Sequence, residues 1–200
     1  ELEEEEGVNK TVLSIQSHVV HGYVGNKSAV FPLQLLGFDV DFVNSVQFSN
    51  HTGYEEGFTG EVLNGEQLNK LVEGLEANGL TSEYSHLLTG YIGSTTFLSA
   101  VKSALLKLRE SNPGLVYVCD PVLGDDGHLY VPQELVQIYR EEMVPLATVL
   151  TPNQFECEQL TGKSITTEEE AVSACVSLLA QGPEVVVITS CDLPSDPEHI

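Results

Sequence analysis

The segment 119–125 carries two carboxylates at a spacing that suits metal and phosphate chemistry. An apolar run ends at Cys119, Asp120 follows directly, and a Pro-Val-Leu-Gly turn leads to Asp125. Two carboxylates that converge at the end of a strand suit a Mg²⁺ ion that keeps some of its waters and contacts phosphate oxygens. The spacing alone is equally compatible with a turn whose aspartates bond only backbone amides.

Two further apolar runs also end in polar side chains. Asn153 and Glu156 follow the run that ends at Leu150, with Glu156 in the first turn of a predicted helix. They could hold metal-bound water near a phosphate, although the helix dipole favours a carboxylate at this position in any protein. Thr189 and Ser190 close another apolar run and could contact a phosphate or an alkali cation, or satisfy backbone groups. The three clusters together favour one phosphate-binding site.

The elements that must position these clusters alternate along the chain. Strands are predicted over residues 11–16, 39–46, 85–89, 115–119, 147–150 and 184–189. Helices are predicted over residues 26–36, 66–77, 94–109, 132–142, 153–162 and 168–181. This alternation is typical of an α/β fold with a mainly parallel sheet flanked by helices. Because ligands of such sheets bind at the carboxyl ends of the strands, the clusters are expected at one edge.

Local signals mark the ends of several helices. A glycine-rich loop is predicted over residues 18–25, after which Asn26 is predicted to cap the first helix and Gly37 to end it. Asn153 is predicted to cap the helix that carries Glu156. Thr167 with Glu170 three residues later forms a capping box for the last helix.

The composition excludes several classes of partner. Thirty acidic and eight basic residues give a net charge of −22, which repels nucleic acids and anionic membranes. Any phosphate must therefore be neutralised locally by bound cations, backbone N–H groups or helix N-termini. The sequence has no apolar stretch of bilayer length and no Cys-x-x-Cys motif, so a reduced, cytosolic enzyme is expected.

A series of short motifs runs along the chain in a consistent order. The first are Ser-Ile-Gln-Ser-His-Val at 14–19, Gly-Tyr-Val-Gly-Asn at 22–26, Phe-Pro-Leu-Gln at 31–34, Gln-Phe-Ser-Asn-His-Thr-Gly-Tyr at 47–54 and Leu-Thr-Gly-Tyr at 88–91. They are followed by Cys-Asp-Pro-Val-Leu-Gly-Asp at 119–125 and Thr-Pro-Asn-Gln-Phe-Glu at 151–156. Together they resemble the pyridoxal kinase family over residues 11–193, and Ser-Asn-His-Thr-Gly-Tyr is specific to that family.

The resemblance implies a ribokinase-like fold and ATP-dependent phosphorylation of the 5′-hydroxyl of pyridoxal, pyridoxine or pyridoxamine. It implies that Ser17 and Thr52 hydrogen-bond the pyridine ring and its substituents. Tyr91 would stack on the ring, and Phe48 and Val24 would complete an apolar wall. A flat heteroaromatic ligand requires such an aromatic face and a few directional polar groups.

The resemblance also implies an ATP site built from the polar clusters. The residues expected to contact ATP are Asp120, Asn153, Glu156, Thr189, Ser190 and Tyr130. Those expected to hold Mg²⁺ (or Zn²⁺) are Asp125 and Glu156. Those expected to hold a monovalent cation, K⁺ or Na⁺, are Asp120, Thr151 and Thr189. Segment 124–130 would form a flap that excludes water from the transferred phosphate.

One motif of the family does not occur in the sequence. The Gly-Thr-Gly-Asp anion hole, whose Asp is the base for the substrate hydroxyl, matches none of the 200 residues. The resemblance implies that this Asp lies beyond Ile200, so no catalytic residue is assigned within the chain. The kinase domain is therefore expected to be C-terminally truncated and inactive by itself. Residues 1–8 are expected to form an acidic tail and residues 9–200 the partial domain.

Two other functions remain open on the sequence. One is a kinase of the same fold for a hydroxymethylpyrimidine, and the other is a non-catalytic binding module that holds pyridoxal or pairs with a complete subunit. The resemblance further implies a homodimer.

Overall fold

Strands and helices alternate through residues 10–193, the part of the chain that the computed structural model describes. The strands are β1 (Thr11–Val19), β2 (Asp39–Phe48), β3 (Gly60–Val62), β4 (His86–Thr89), β5 (Val116–Cys119), β6 (Gly124–Asp125), β7 (His128–Leu129), β8 (Val149–Leu150) and β9 (Val185–Val186). The α-helices are α1 (Asn26–Leu35), α2 (Gly65–Ala77), α3 (Thr95–Ser111), α4 (Gln133–Ile138), α5 (Gln154–Thr161) and α6 (Glu168–Leu179).

Two of the sequence-based predictions concern the ends of the chain. The predicted acidic tail at residues 1–8 lies outside the described residues. Ile200, beyond which the Asp of the Gly-Thr-Gly-Asp motif is expected, lies outside them as well. Both therefore stay predictions.

Seven of the strands form one sheet in the order β3-β2-β1-β4-β5-β8-β9. All neighbours pair in parallel except β3, which runs antiparallel to β2 at the edge. The prediction of an α/β fold with a mainly parallel sheet is therefore confirmed. The carboxyl ends of β1, β4, β5 and β8 meet at one edge, where such sheets bind their ligands.

Apolar side chains of the central strands and of α3 form the core. The inward face of α3 is fully buried and consists of Phe97, Val101, Ala104, Leu105 and Leu108. Leu87 of β4 and Tyr117 of β5 are also fully buried. Burying a large apolar side chain contributes about 1.5–3 kcal/mol. The packed core holds the strand ends in a fixed arrangement beneath the site.

Two of the predicted helices differ from expectation. Asn26 does not cap α1, because Gly25 occupies the cap position and the Asn26 side chain bonds to the sheet instead. The helix after Pro132 ends at Ile138, and a π-helical turn follows. A continued α-helix would bring the ring of Pro145 against the carbonyl of residue 141. The predicted cap of α5 at Asn153 and the predicted capping box of α6 are confirmed, and Glu156 completes a capping box in α5 as well.

Several strand limits also differ. β1 continues to Val19, so the predicted loop at 18–25 begins later. In the predicted strand 184–189 only Val185–Val186 pair as a strand, because the neighbouring segment reaches Pro152, which has no N–H to donate. The sequence patterns missed β3 and the hairpin β6–β7. The turn of this hairpin has positive φ at Asp126 and Gly127, as a type I′ turn requires.

No helix in the described part of the chain is both long and apolar enough to cross a bilayer.

Candidate functional site

A cavity of about 540 Å³ opens at the carboxyl ends of β1, β2, β4 and β5. All five residues expected at a pyridine ring line it: Ser17, Val24, Phe48, Thr52 and Tyr91. Asp120 and Tyr130, two residues of the expected ATP set, line the same cavity. Residues from the first half of the chain thus share one space with residues that follow β5.

The sequence patterns did not single out some of the lining residues. These are Gln16, Val19, Gly25, Val46, His51 and Val122. Gln16, Val19, Gly25, His51 and Val122 fall inside the motifs at 14–19, 22–26, 47–54 and 119–125, so the motifs carried a signal for them. Val46 lies outside the motifs, and nothing local distinguishes it from a core residue.

Close backbone contact presents Ser17 to the cavity. A Cβ atom added to Gly25 would lie 2.6 Å from Ser17 Oγ and would also collide with the Ser17 backbone carbonyl. Gly25 has φ +45, a conformation that favours glycine. Glycine is therefore required where the loop before α1 rests on Ser17.

Phe48 and Tyr91 supply aromatic side chains to the cavity lining. Phe48 packs against Phe58 with ring centroids 4.5 Å apart. The backbone carbonyl of Tyr91 accepts a hydrogen bond from Ser45 Oγ at 2.9 Å, which joins β2 to the segment after β4. Burial raises the pKa of the Tyr91 hydroxyl, so it stays protonated and can act as a donor.

The Asp120 carboxylate lies between the sheet and the cavity. The backbone N–H of Asp120 donates to the carbonyl of Thr89 at 3.0 Å, and this bond continues the pairing of β4 and β5. Burial raises the pKa of Asp120 to about 6, and a hydrogen bond with Thr151 opposes that rise. No Lys or Arg within residues 10–193 forms an ion pair with Asp120. A bound cation would stabilise the ionised form of this carboxylate.

Glu156 is the most enclosed carboxylate of the site, with 3% of its surface exposed. Its two oxygens accept hydrogen bonds from the backbone N–H groups of Leu123, at 3.0 Å, and Asn153, at 2.8 Å. Burial raises its pKa to about 7, the charge of Asp120 adds to the rise, and the backbone hydrogen bonds oppose it. Glu156 therefore ties α5 to the segment after β5.

The hairpin β6–β7 is fixed at its base and exposed at its tip. Asn153 Nδ2 donates to the carbonyl of Gly124 at 2.9 Å. Asp125 is exposed, and its Oδ1 accepts from the N–H of Asp126 at 3.0 Å, so its other oxygen faces no protein donor that the structure describes. In residues 10–193, no three His, Cys, Asp or Glu side chains are arranged to hold a metal ion. Any cation here would complete its shell with ligand or water oxygens.

Thr189 and Ser190 lie beside the N-terminus of α5. The N–H of Thr189 donates to the carbonyl of Pro152 at 2.9 Å, and the carbonyl of Ser190 accepts from the N–H of Gln154 at 3.0 Å. Both residues are exposed. With Asn153, Glu156 and Asp125 they stay outside the lining of the cavity. The predicted residues thus form two neighbouring groups, one lining the cavity and one around the N-terminus of α5.

Known proteins resemble the chain in sequence and in structure. The family described as phosphomethylpyrimidine kinase matches residues 68–200. Pyridoxal kinase of Arabidopsis thaliana is 66% identical over 179 residues, which cover 90% of this chain and 57% of that protein. Pyridoxal kinase of Homo sapiens is 54% identical over 188 residues, which cover 92% and 60%. The chain thus spans less than two thirds of the length of these relatives.

Solved structures agree with this similarity. Pyridoxal kinase from Leishmania donovani, in complex with ADP and pyridoxamine, superposes with a TM-score of 0.89 at 44% identity. The superposition covers 94% of this chain and 67% of that one.

Proposed function

Because this chain belongs to the phosphomethylpyrimidine kinase family and, within it, to the pyridoxal kinases, we propose that it binds a B6 vitamer and part of ATP. In a protein that also contains the Gly-Thr-Gly-Asp motif, the reaction is transfer of the terminal phosphate of ATP to the 5′-hydroxyl of pyridoxal, pyridoxine or pyridoxamine. The observation that carries the proposal is the shared cavity. Ser17, Thr52 and Tyr91 line it together with Asp120 and Tyr130, so a vitamin ring and a phosphate would lie side by side.

The vitamin ring takes the part of the cavity between β1 and the segment after β4. Ser17 and Thr52 supply hydroxyl groups for the ring nitrogen and its substituents, and Tyr91 supplies a face for stacking. Phe48 and Val24 exclude water from the ring edges. The mostly apolar lining with a few polar groups is what binding sites for small aromatic ligands share.

The ATP phosphates take the end of the cavity near Asp120 and the neighbouring N-terminus of α5. The residues that contact ATP are Asp120, Tyr130, Asn153, Glu156, Thr189 and Ser190. When bound, Mg²⁺ supplies neutralisation of the charge on the transferring phosphate. A net charge of −22 leaves that neutralisation to cations and backbone groups.

Asp125 and Glu156 would hold the Mg²⁺. The carboxylate of Glu156 is already oriented by the backbone hydrogen bonds that both its oxygens accept. Asp120, Thr151 and Thr189 would hold a monovalent cation, K⁺ or Na⁺. The hydrogen bond between Asp120 and Thr151 and the unpaired charge of Asp120 support this placement.

The domain assignment and the cellular setting are proposals too. Residues 9–200 form a partial ribokinase-like domain, preceded by an acidic tail at residues 1–8, and the hairpin β6–β7 is part of a flap over the phosphates.

The protein is a homodimer in the cytosol. Exposed apolar side chains in α1 (Phe31 and Leu35) and directly after it (Leu36) support a contact between copies. Four free thiols support a reducing compartment.

The base that removes the proton of the 5′-hydroxyl comes from the family motif Gly-Thr-Gly-Asp, which the 200 residues do not contain and which we place beyond Ile200. We therefore expect no phosphate transfer from these 200 residues alone. A binding module without catalysis is the second candidate, and the absent motif is the observation that favours it.

A binding experiment tests the vitamin site apart from catalysis. Pyridoxal, pyridoxamine and hydroxymethylpyrimidine are titrated calorimetrically into the protein, its Thr52→Val variant and the control Thr59→Val, which lies outside the cavity lining. We expect pyridoxal to bind more tightly than the pyrimidine, and Thr52→Val alone to weaken it by about tenfold, the cost of one hydrogen bond. The proposal would be refuted if the pyrimidine bound more tightly than pyridoxal. It would also be refuted if Thr52→Val bound pyridoxal as tightly as the control Thr59→Val does.

A further inference from the structure

Asn26 joins three segments of the chain beneath the cavity, although only 1% of its surface is exposed. Its Oδ1 accepts a hydrogen bond from Ser14 Oγ of β1 at 2.7 Å. Its Nδ2 donates to the carbonyl of Val43 and to Oδ1 of Asn44, both in β2 and both at 2.9 Å, and more weakly to the carbonyl of Gln16 at 3.3 Å. The side chain therefore links the start of α1 to both strands.

These contacts meet at an irregularity of the sheet. The register of β1 and β2 shifts between Gln16 and Ser17: Gln16 pairs with Asn44, but Ser17 pairs with Val46. Ser45 is the extra residue of this β-bulge. The ladder is interrupted there, and just before the interruption the Asn26 amide donates to a carbonyl of each strand, that of Gln16 in β1 and that of Val43 in β2. Bulges commonly re-aim side chains next to active sites.

Two residues of the proposed vitamin site depend on this bulge. Ser17 is the first residue after the shift and faces the cavity. Ser45 donates from its Oγ to the backbone carbonyl of Tyr91 at 2.9 Å. Gly25, whose backbone rests on Ser17, directly precedes Asn26 in the chain. The bulge thus fixes both the hydroxyl and the aromatic face expected at the ring.

We propose that Asn26 is a positioning residue for the vitamin ring: its amide holds the β1–β2 bulge that directs Ser17 and, through Ser45, Tyr91 into the cavity. This inference rests on the proposed function. Asn26 is not itself among the residues that line the cavity, and it acts through the residues that are.

The chemistry of the pocket around Asn26 requires an amide. One side presents a hydroxyl donor, from Ser14, and the other presents three acceptor oxygens. Only a side chain with both an acceptor and an NH₂ group satisfies them together. An ionised Asp offers no donor to these oxygens, and Ala removes both the bond that the Asn26 side chain accepts and those that it donates.

The test uses Asn26→Ala and Asn26→Asp in the protein expressed from its natural coding sequence. The matched control is Thr81→Val, which removes the hydrogen bond of another buried hydroxyl to Ser111, outside the cavity lining. Dissociation constants are measured for pyridoxal and, separately, for Mg-ADP. Hydrogen exchange of the Ser17–Val19 backbone amides is measured without any ligand.

We expect both Asn26 variants to bind pyridoxal roughly ten- to a hundredfold more weakly, as for a ring contact misplaced by about 1 Å. Mg-ADP affinity should stay unchanged, and exchange of the Ser17–Val19 amides should accelerate. The control should change neither ligand affinity nor this exchange. If Asn26→Asp does not fold, Asn26→Ala, which adds no buried charge, decides the matter.

Two results would overturn the inference. One is that Asn26→Ala binds pyridoxal as the parent does. The other is that it loses both ligands equally with no local change in exchange, which is a general loss of stability. If the parent itself does not bind pyridoxal, the proposed function fails instead. Exchange alone then decides whether Asn26 holds the bulge: faster exchange than in the control supports it, and equal exchange refutes it.

Discussion

The carboxylate of Glu156 accepts a hydrogen bond from the backbone N–H of Leu123 at 3.0 Å, across 33 residues of sequence. This bond joins the first turn of α5 to the segment that leads from β5 into the hairpin β6–β7. A second bond between the same parts runs from Asn153 to Gly124. The two carboxylate-bearing segments noticed in the sequence are therefore held together as one unit, at the end of the cavity where Asp120 lies.

Removal of the Glu156 side chain should destabilise the fold. Glu156→Ala leaves the buried N–H of Leu123 without an acceptor and removes half of the α5 capping box. We expect the free energy of unfolding to fall by about 2 kcal/mol or more, measured by urea denaturation. Glu169→Ala, in the first turn of α6 but exposed, is the matched control and should change it little. An equal loss in both variants would contradict this account of Glu156.

The buried carboxylates predict a dependence of stability on pH. Burial raises the pKa of Asp120 from 3.8 to about 6 and that of Glu156 from 4.5 to about 7. Between these values the folded protein holds protons that the unfolded chain has released. Their contribution to stability is therefore present at about pH 4 and is lost as the pH rises to about 7.

Asp120→Asn should remove the part of this pH-dependent loss of stability that Asp120 causes, at most about 3 kcal/mol for a rise of about two pKa units. The measurement is the free energy of unfolding of parent and variant at a series of pH values without added cations. Glu170→Gln provides the contrast, because hydrogen bonds with Thr166 lower the pKa of Glu170 and its contribution has the opposite sign. An unchanged pH profile in Asp120→Asn would show that Asp120 titrates as an exposed carboxylate does.

Glycine at position 25 should be required for vitamin binding. A methyl group in Gly25→Ala would collide with Ser17 and displace its hydroxyl from the cavity. We expect pyridoxal affinity to fall at least tenfold in a calorimetric titration. Gly74→Ala, in α2 with open space around it, is the control and should leave binding unchanged while stabilising the helix by up to about 1 kcal/mol. Normal pyridoxal binding by Gly25→Ala would contradict the assigned role of Ser17.

The exposed carboxylate of the hairpin β6–β7 should affect nucleotide binding more than stability. Asp125→Asn removes a negative charge proposed to hold Mg²⁺, so we expect Mg-ATP affinity to fall by about tenfold. Asp126→Asn is the control, because Asn tolerates the positive φ of that turn position. Affinity is measured by titration at fixed ionic strength. Equal losses in the two variants would indicate a general effect of charge, and no Mg²⁺ ligand at Asp125.

The contrast between Asn26 and Asn153 shows what the sequence could and could not predict. Asn153 caps α5 with Glu156 three residues later, so the whole interaction is visible in a short stretch of sequence. Asn26 looked like a cap for the same local reason, but its partners lie in β1 and β2, which only the folded sheet brings near. The order of strands and helices followed from periodicity, whereas the limits of β1 and β9 depend on pairing with neighbours.

The candidate site likewise contains residues that sequence patterns revealed and residues that they did not. The polar ends of the strands at Asp120 and Asn153 were visible as patterns, because the fold class places strand ends at one edge. The cavity residues Ser17, Thr52 and Tyr91 came from resemblance to a family, since nothing in their spacing brings them together. Sequence alone also gave no sign that Glu156 is enclosed, because its burial depends on the backbone of residues 123–124.

The most direct test of the central claim is phosphate transfer from Mg-ATP to pyridoxal in the presence of K⁺. The formation of pyridoxal 5′-phosphate is followed for this chain and for the protein expressed from its natural coding sequence, extended past Ile200 if that sequence continues. We predict transfer where the Gly-Thr-Gly-Asp motif is present and none from the 200 residues alone. Transfer by the 200 residues would show that the base lies within them and would make Asp120 and Asp125 the candidates. No transfer by a protein that contains the motif would contradict the kinase assignment.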